Sequence, residues 1–226
     1  MRRLAGASHP WAVASLVGVN LAPVVGVALL GWSLLDLMLL YWFENIVIGV
    51  YTLLKMVTTT GVDDDAPRAP LGAFFHALFV TVFFAFHYGF FWSGHGNFLV
   101  MLFDDGGARM GGRLFADGIL GLWASGWVIA GAYLRGPLAL AAVALFASHG
   151  VSYATNFLLR DEGAHLAPKV LMFQPYARVA VLHVTLLVGG FAAAGLGEPV
   201  LLLLPFVVLK TVVDLWSHGR EHRGPG

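Results

Sequence analysis

Seven apolar stretches, each about as long as a membrane-spanning helix, constrain the fold of this chain more than any other feature. A helix needs roughly 20 apolar residues to cross the hydrocarbon core of a bilayer. The stretches cover about residues 11–31, 33–57, 70–92, 115–134, 137–159, 175–195 and 198–218. Only 12% of the residues are charged, whereas a soluble domain is about one quarter charged. We therefore predict an all-α, polytopic transmembrane helix bundle in a single integral-membrane domain.

Three connecting segments carry further expectations. The polar stretch "TTTGVDDDAPRAP" (58–70) predicts a loop, and "RDEGAHLAPKVLMFQ" (160–174) predicts a loop with a short interfacial helix. The apolar stretch "GHGNFLVMLF" (94–103) is too short to cross a membrane again. It predicts an interfacial or re-entrant piece after the third span.

Seven alternating spans would place the two termini on opposite faces of the membrane. The loop 58–70 would then lie on the N-terminal face and the loop 160–174 on the C-terminal face. Five basic residues fall on the N-terminal face and seven on the other. Because cytoplasmic loops are rich in Lys and Arg, this count predicts a cytoplasmic C-terminus.

Composition excludes several kinds of function. The chain has no cysteine, so disulfides, thiolate metal sites and cysteine nucleophiles are excluded. Its net charge is zero, which gives no reason to expect nucleic acid as a partner. Nine histidines, together with Asp and Glu, are the strong metal ligands that remain.

Ionisable residues recur at similar expected depths in different spans. With a rise of about 1.5 Å per residue, Glu44 lies roughly 16 Å and His149 roughly 15 Å from the C-terminal face. On the same scale His183 lies near 12 Å and His87 near 8 Å, while Asp214 is shallower. A charge that faces lipid is costly, so we expect these groups to turn inward and share a polar core.

The polar core predicts an intramembrane metal site. Neutral imidazole and carboxylate suit zinc or non-haem iron, and a catalytic site needs three protein ligands and an open position. The best ligand candidates are His87, His149 and His183. Asp214 or Glu44 is then expected to serve as a fourth ligand, as a hydrogen-bond partner of a ligand or as a general base.

His218 is a further candidate ligand at the end of the seventh span. It stands four residues after Asp214, a spacing that lets one helix supply two ligands. It also stands four residues before His222, where the glycines and the proline that follow indicate the end of the helix. A solvated pair of histidines in the C-terminal tail is the alternative interpretation.

Three functional hypotheses remain open. The first is a metal-dependent membrane enzyme that acts on a lipid or another hydrophobic substrate. The second is a transporter or proton-coupled carrier that uses the same core as its pathway. The third is a structural or assembly protein whose polar groups only join helices, at about 0.6 kcal/mol per contact. Membrane lipids are the expected partners in all three, and the oligomeric state is left open.

Several blocks of the sequence resemble a known family. They are "YWFENIVIGVYTLLKM", "FHYGFFWSGHGNF", "SHGVSYATNFLLRDE", "PYARVAVLHVTLLVGG" and "LKTVVDLWSH". These blocks, within about residues 30–218, resemble an uncharacterised prokaryotic integral-membrane family, domain of unknown function 6498. The resemblance implies a multi-pass protein of the prokaryotic inner membrane and implies no activity. The blocks contain Glu44, His87, His149, His183 and Asp214.

Overall fold

The structure is a computed structural model that describes Gly31 and residues 33–104, 118–177, 179–180 and 183–184. The predicted first and seventh spans lie outside the described residues, and so do Asp214 and His218. The chain divides into two compact units, one of which is Met38–Leu182. His183 belongs to the other unit, which joins Met1–Leu37 to His183–Gly226.

The described residues are helical and include no strand. The helices are α1 (Leu34–Thr58), α2 (Pro70–Phe103), α3 (Gly118–Tyr133), α4 (Gly136–Ser152) and α5 (Pro168–Phe173). A π-helical turn, Tyr153–Leu158, continues α4. The expectation of a short helix within 160–174 is thus confirmed by α5.

Three helices in the described part are long and apolar enough to cross a membrane: Leu35–Thr58, Pro70–Phe103 and Gly136–Leu158. The first and last match the predicted spans 33–57 and 137–159. The apolar helix α3, with 16 residues, is shorter. The helical class is confirmed, and the count of seven spans stays a prediction.

Helix α2 corrects the prediction of a third span that ends near residue 92. It runs without a break through 34 residues, about 51 Å at 1.5 Å per residue, so a separate re-entrant piece at 94–103 is wrong. Its glycines allow close packing and do not break the helix. A Cβ added at Gly89 would lie 2.7 Å from the Trp123 ring, and one at Gly96 would lie 2.5 Å from the Trp42 ring.

Helices α1 and α2 pack antiparallel around a pair of tryptophans. The rings of Trp42 and Trp92 stack with centroids 4.4 Å apart and planes 3° apart. Each indole N–H donates to the backbone carbonyl of the other tryptophan, at 2.7 and 3.0 Å. Further along, Tyr88 donates its hydroxyl to the carbonyl of Asn45. The faces of the two indole rings are thus packed and their N–H groups hydrogen-bonded inside an apolar interface.

Helix α3 runs parallel to α2, because its contacts move along both helices in the same direction. Ser93 donates to the carbonyl of Trp123 at 2.6 Å, and Tyr133 donates to the carboxylate of Asp104 near the end of both helices. Helix α4 runs parallel to α1 for the same reason. Tyr51 donates to the carbonyl of Phe146 at 2.9 Å, and the Thr58 and Tyr153 hydroxyls lie 3.1 Å apart.

These directions correct the predicted arrangement of loops. Spans that alternate in direction would place loops 58–70 and 160–174 on opposite faces, yet Thr60 N–H donates to the carbonyl of Ala164 at 2.8 Å. The two loops therefore lie at the same end of the bundle. The count of basic residues per face, and the cytoplasmic C-terminus inferred from it, lose their basis because α2 and α3 run parallel.

Candidate functional site

A loop clasp, which we define as residues 59–67 with residues 160–169, closes one end of the bundle. Thr59 Oγ1 lies 2.9 Å from the carbonyl oxygen of Ala164 and 2.6 Å from that of Leu166. At Gly61 the backbones approach so closely that an added Cβ would lie 2.3 Å from the carbonyl oxygen of His165. A larger residue at this position would push the loops apart.

Two aspartates and a histidine converge inside this clasp. Asp63 comes from the loop after α1, and its side chain is only 3% exposed. His76, in the second turn of α2, places Nε2 3.2 Å from Asp63 Oδ2 and 3.7 Å from Asp65 Oδ1. One ligand atom from each of the three residues lies within 4.8 Å of the others. We call Asp63, Asp65 and His76 the triad.

Lys169, at the start of α5, contacts both aspartates. Its backbone N–H donates to Asp63 Oδ1 at 3.0 Å, and its ammonium group pairs with Asp65 Oδ2. The hydrogen bond from Lys169 lowers the pKa of the Asp65 carboxyl below its ordinary value, and the charges of Lys169 and His76 lower it further. Asp65 is ionised at neutral pH, because its side chain is 63% exposed and the neighbouring positive charges favour the carboxylate.

The triad has the donor set and spacing of a metal site. Two carboxylate oxygens and one imidazole nitrogen suit zinc or ferrous iron. Bonds of 2.0–2.1 Å in a tetrahedral site place neighbouring ligand atoms about 3.3 Å apart, close to the separations from His76 Nε2. The same side chains also form an ordinary hydrogen-bonded ion cluster. The triad is thus a candidate metal site whose ion the geometry does not specify.

The histidines predicted to be intramembrane ligands make other contacts. His87 Nδ1 lies 2.9 Å from the Tyr176 hydroxyl. His149 Nδ1 lies 3.0 Å from the carbonyl oxygen of Leu145, one turn earlier in its own helix. Within the part of the chain that the structure describes, no hydrogen bond or ring contact joins His87 to His149.

The remaining predicted residues are distributed as follows. Glu44 is 8% exposed, so its expected burial is confirmed. His183 is exposed and belongs to the other compact unit, while Asp214 and His218 lie outside the described residues. The ligand set His87, His149 and His183, with the roles of Glu44, Asp214 and His218, therefore stays a prediction.

The expected common depth of Glu44 and His149 is corrected. The ring of His149 lies beside that of Tyr51, with centroids 6.3 Å apart. Tyr51 is seven residues beyond Glu44 on α1, or about 10 Å along the helix axis. The depth of Glu44 had been counted from the start of its span and that of His149 from the end of its span, and these two helix ends lie at opposite ends of the bundle.

Several buried polar groups between α2 and α3 have a structural role. Ser93 and Ser125 are fully buried, and Asn97 is 9% exposed. Asn97 donates to the carbonyl of Ser93 and to Ser125 Oγ, and Ser93 Oγ accepts the N–H of Gly126. Because these groups are satisfied by one another, they join the two helices as the structural hypothesis expects.

The residues of the triad are visible in the sequence, but the sequence does not show that their side chains lie close together. The three consecutive aspartates 63–65 read as a solvated loop, and His76 is about three turns from His87 on α2. The three members span residues 63–76, and what the sequence does not show is that the loop after α1 turns back so that both carboxylates reach His76, with Asp63 held by the backbone N–H of Lys169 from the other loop. The feature that marks the site is an aspartate that is buried within a polar loop, and this burial is seen only in the structure.

Comparisons with known proteins identify the family and nothing more. The family of unknown function DUF6498 matches residues 2–226. No curated protein and no solved structure matches the chain. Because the match extends over nearly the whole sequence, the chain belongs to this family of unknown function, DUF6498.

Proposed function

We propose that the protein is a metal-dependent enzyme of the prokaryotic inner membrane that acts on a lipid or another hydrophobic substrate. The metal would be held by the triad. The observation that carries this proposal is the convergence of two carboxylates and one imidazole at ligand distances in the loop clasp. Zinc and ferrous iron are the ions that this donor set suits.

The surroundings of Asp63 support the proposal. Metal-binding carboxylates are usually oriented by hydrogen bonds from groups that do not touch the metal. The backbone N–H of Lys169 makes such a bond to Asp63 Oδ1 and leaves Oδ2 toward His76. Burial of this carboxylate is costly without a nearby positive charge, so a cation at the triad would stabilise the clasp.

The ammonium group of Lys169 would move away from Asp65 when the metal binds. Its ammonium group pairs with Asp65, whose side chain is the most exposed of the triad. Asp65 would exchange the ammonium for the metal, and Asp63 and His76 would keep their positions. Three protein ligands leave an open position for water or for a polar group of the substrate.

A hydrophobic substrate fits the surface beside the triad. Phe74, Phe75 and Phe79 lie within one turn of His76 on α2, and each is at least 58% exposed. Acyl chains would lie along these rings and place a polar head group near the open position. A water-soluble substrate would gain nothing from them.

Metal binding is tested by titrating chelator-treated protein with zinc in the presence of a competing indicator dye. Asp63→Asn removes a charged ligand and is expected to weaken binding at least tenfold. Asp64→Asn is the matched control, because Asp64 is exposed and lies outside the triad. Equal affinities for the wild type and Asp63→Asn would contradict the proposal.

Catalysis is tested on lipid extracts from prokaryotic cells. Metal-loaded and chelator-treated protein are incubated with the extract, and the products are compared by mass spectrometry. We expect lipid turnover that needs the metal and is lost in Asp63→Asn. Metal uptake into proteoliposomes without lipid turnover would instead support the transporter hypothesis.

A further inference from the structure

The middle of α2 carries a histidine that the metal proposal does not use. His87 is 17 residues after the start of the helix and 16 before its end, or about 25 Å from each. His76 is about 16 Å away along the axis. Whatever His87 does is therefore independent of the triad.

The hydrogen bond between His87 and Tyr176 is the basis on which we assign the tautomer of the imidazole. Tyr176 is its hydrogen-bond partner, with the hydroxyl 2.9 Å from Nδ1. In the described residues this nitrogen is also the one acceptor within reach of the phenol O–H. Tyr176 therefore donates to Nδ1, and the neutral imidazole carries its proton on Nε2.

The Nε2–H group of His87 lacks a partner among the described residues. It stands in an aromatic stripe of α2, between Phe83 and Phe91. Their ring centroids lie 5.1 and 4.9 Å from the imidazole, and both side chains are nearly half exposed. An unpaired donor in the middle of an apolar helix is costly, so a ligand with an acceptor oxygen would be stabilised at this surface.

The position of His87 selects the kind of ligand. Ester carbonyls of phospholipids lie near the membrane interface, about 15 Å from the midplane. A donor in the middle of a long apolar helix needs a carbonyl compound that dissolves in the hydrocarbon. A flat conjugated ring would also stack against Phe83 or Phe91.

We propose that the aromatic stripe around His87 binds a membrane-soluble quinone, whose carbonyl oxygen accepts the Nε2–H of His87. Tyr176 is a positioning residue, because it holds the proton on Nε2 without touching the quinone. The exposed rings of Phe83 and Phe91 flank the quinone ring. This assigns His87 a hydrogen-bonding role in place of the predicted metal-ligand role.

The test uses the full chain in mild detergent, titrated with decylubiquinone, while infrared difference spectra follow the quinone carbonyl band. The wild type is expected to bind one quinone per chain with the band shifted to lower frequency. His87→Leu removes the donor and should weaken binding about tenfold, equivalent to about 1.4 kcal/mol. His149→Leu is the matched control and should bind as the wild type does.

A second variant covers the case in which His87→Leu does not fold. Tyr176→Phe keeps the ring packing but frees the imidazole tautomer, so binding should weaken about twofold and the carbonyl band should shift less. The proposal is overturned by the absence of saturable binding to the wild type, by His87→Leu behaving as the wild type, or by an equal loss in His149→Leu. Displacement of the quinone by phosphatidylcholine would also overturn it, in favour of a phospholipid site.

Discussion

The interior of the bundle and the loop clasp differ in how they satisfy polar groups: the interior mixes bonds within one helix with bonds between neutral groups of two helices, whereas the clasp joins charged groups from separate segments. In the interior, several polar side chains bond to a carbonyl one turn earlier in their own helix, as Asn45 does to Tyr41 and His95 to Phe91. In the clasp, Asp63 bonds to His76 and to Lys169, from two other segments. Local bonds satisfy a residue wherever its helix lies, whereas Asp63 gains its bond from Lys169 only where the two loops meet.

The largest effect should come from the interior, where packing dominates. Trp92→Ala removes a buried ring, its stack with Trp42 and the hydrogen bond from its indole N–H to the carbonyl of Trp42. We expect a loss of about 3–5 kcal/mol in the free energy of unfolding, measured by chemical unfolding in detergent. The stacked indoles should also give an exciton signal in circular dichroism that this variant lacks.

Trp127→Ala is the comparison for that variant, because Trp127 is 48% exposed and contacts the Trp92 ring with centroids 4.9 Å apart, yet its removal leaves the Trp42–Trp92 stack in place. It should cost much less and keep the exciton signal. If the two variants were equally destabilised, the tryptophan stack would not be the centre of the α1–α2 interface.

A substitution in the loop clasp should lower the free energy of unfolding by less, chiefly because it removes a charge. In metal-free protein, Asp63→Asn weakens the charge-assisted bonds from Lys169 and His76. We expect a loss of about 1.5–3 kcal/mol, measured by unfolding with a chelator present. Asp64→Asn should leave stability unchanged, and a matching loss there would mean that loop charge matters more than the geometry of the triad.

A neutral hydrogen bond in the loop clasp should contribute less to the free energy of unfolding than a charged one. Thr59→Val keeps the shape of the side chain but removes the hydroxyl that contacts Ala164 and Leu166. The expected loss is about 1 kcal/mol, measured in the same way. Thr155→Val is the comparison, since Thr155 bonds only within its own helix and with its neighbour. A larger loss for Thr155 would reverse the contrast between local and long-range bonds.

The smallest effect should be the pH dependence of the Asp65–Lys169 pair. Lys169 lowers the pKa of Asp65 from 3.8, so the pair stabilises the folded state above that value. The contribution is lost as the pH falls through the lowered pKa. Without metal, wild type and Asp65→Asn should differ in melting temperature at pH 6, and the difference should shrink as the pH falls through the lowered pKa of Asp65. The difference is small because the pair is exposed.

The helices themselves could be read from the sequence, because apolar length is a local property. The bounds of α1 and of α4 with its π-helical turn follow the apolar runs closely. The continuity of α2 was missed because a span of about 20 residues was expected to end near residue 92, whereas the helix continues to Phe103 and Gly96 accommodates the Trp42 ring. Nothing in one helix tells whether its neighbour runs parallel to it, so the direction of α3 could not be predicted.

The contacts of Lys169 with the candidate site depended on that missing direction. Once α3 runs parallel to α2, the loops 58–70 and 160–174 meet and Lys169 reaches Asp63. A cluster of aspartates and a histidine is present at Asp63, Asp65 and His76, while the predicted intramembrane ligand set stays a prediction. Depth counting favoured His149 and Glu44, since it took opposite ends of the bundle for one face.

The measurement that tests the central claim most directly is metal content, by elemental mass spectrometry on protein purified without a histidine tag. The wild type is compared with His76→Ala, His149→Ala and His183→Ala. If the triad holds the metal, about one zinc or iron per chain is lost in His76→Ala and kept in the other two. Loss in His149→Ala and His183→Ala with retention in His76→Ala, or no metal in the wild type after zinc or iron is supplied, would contradict the account.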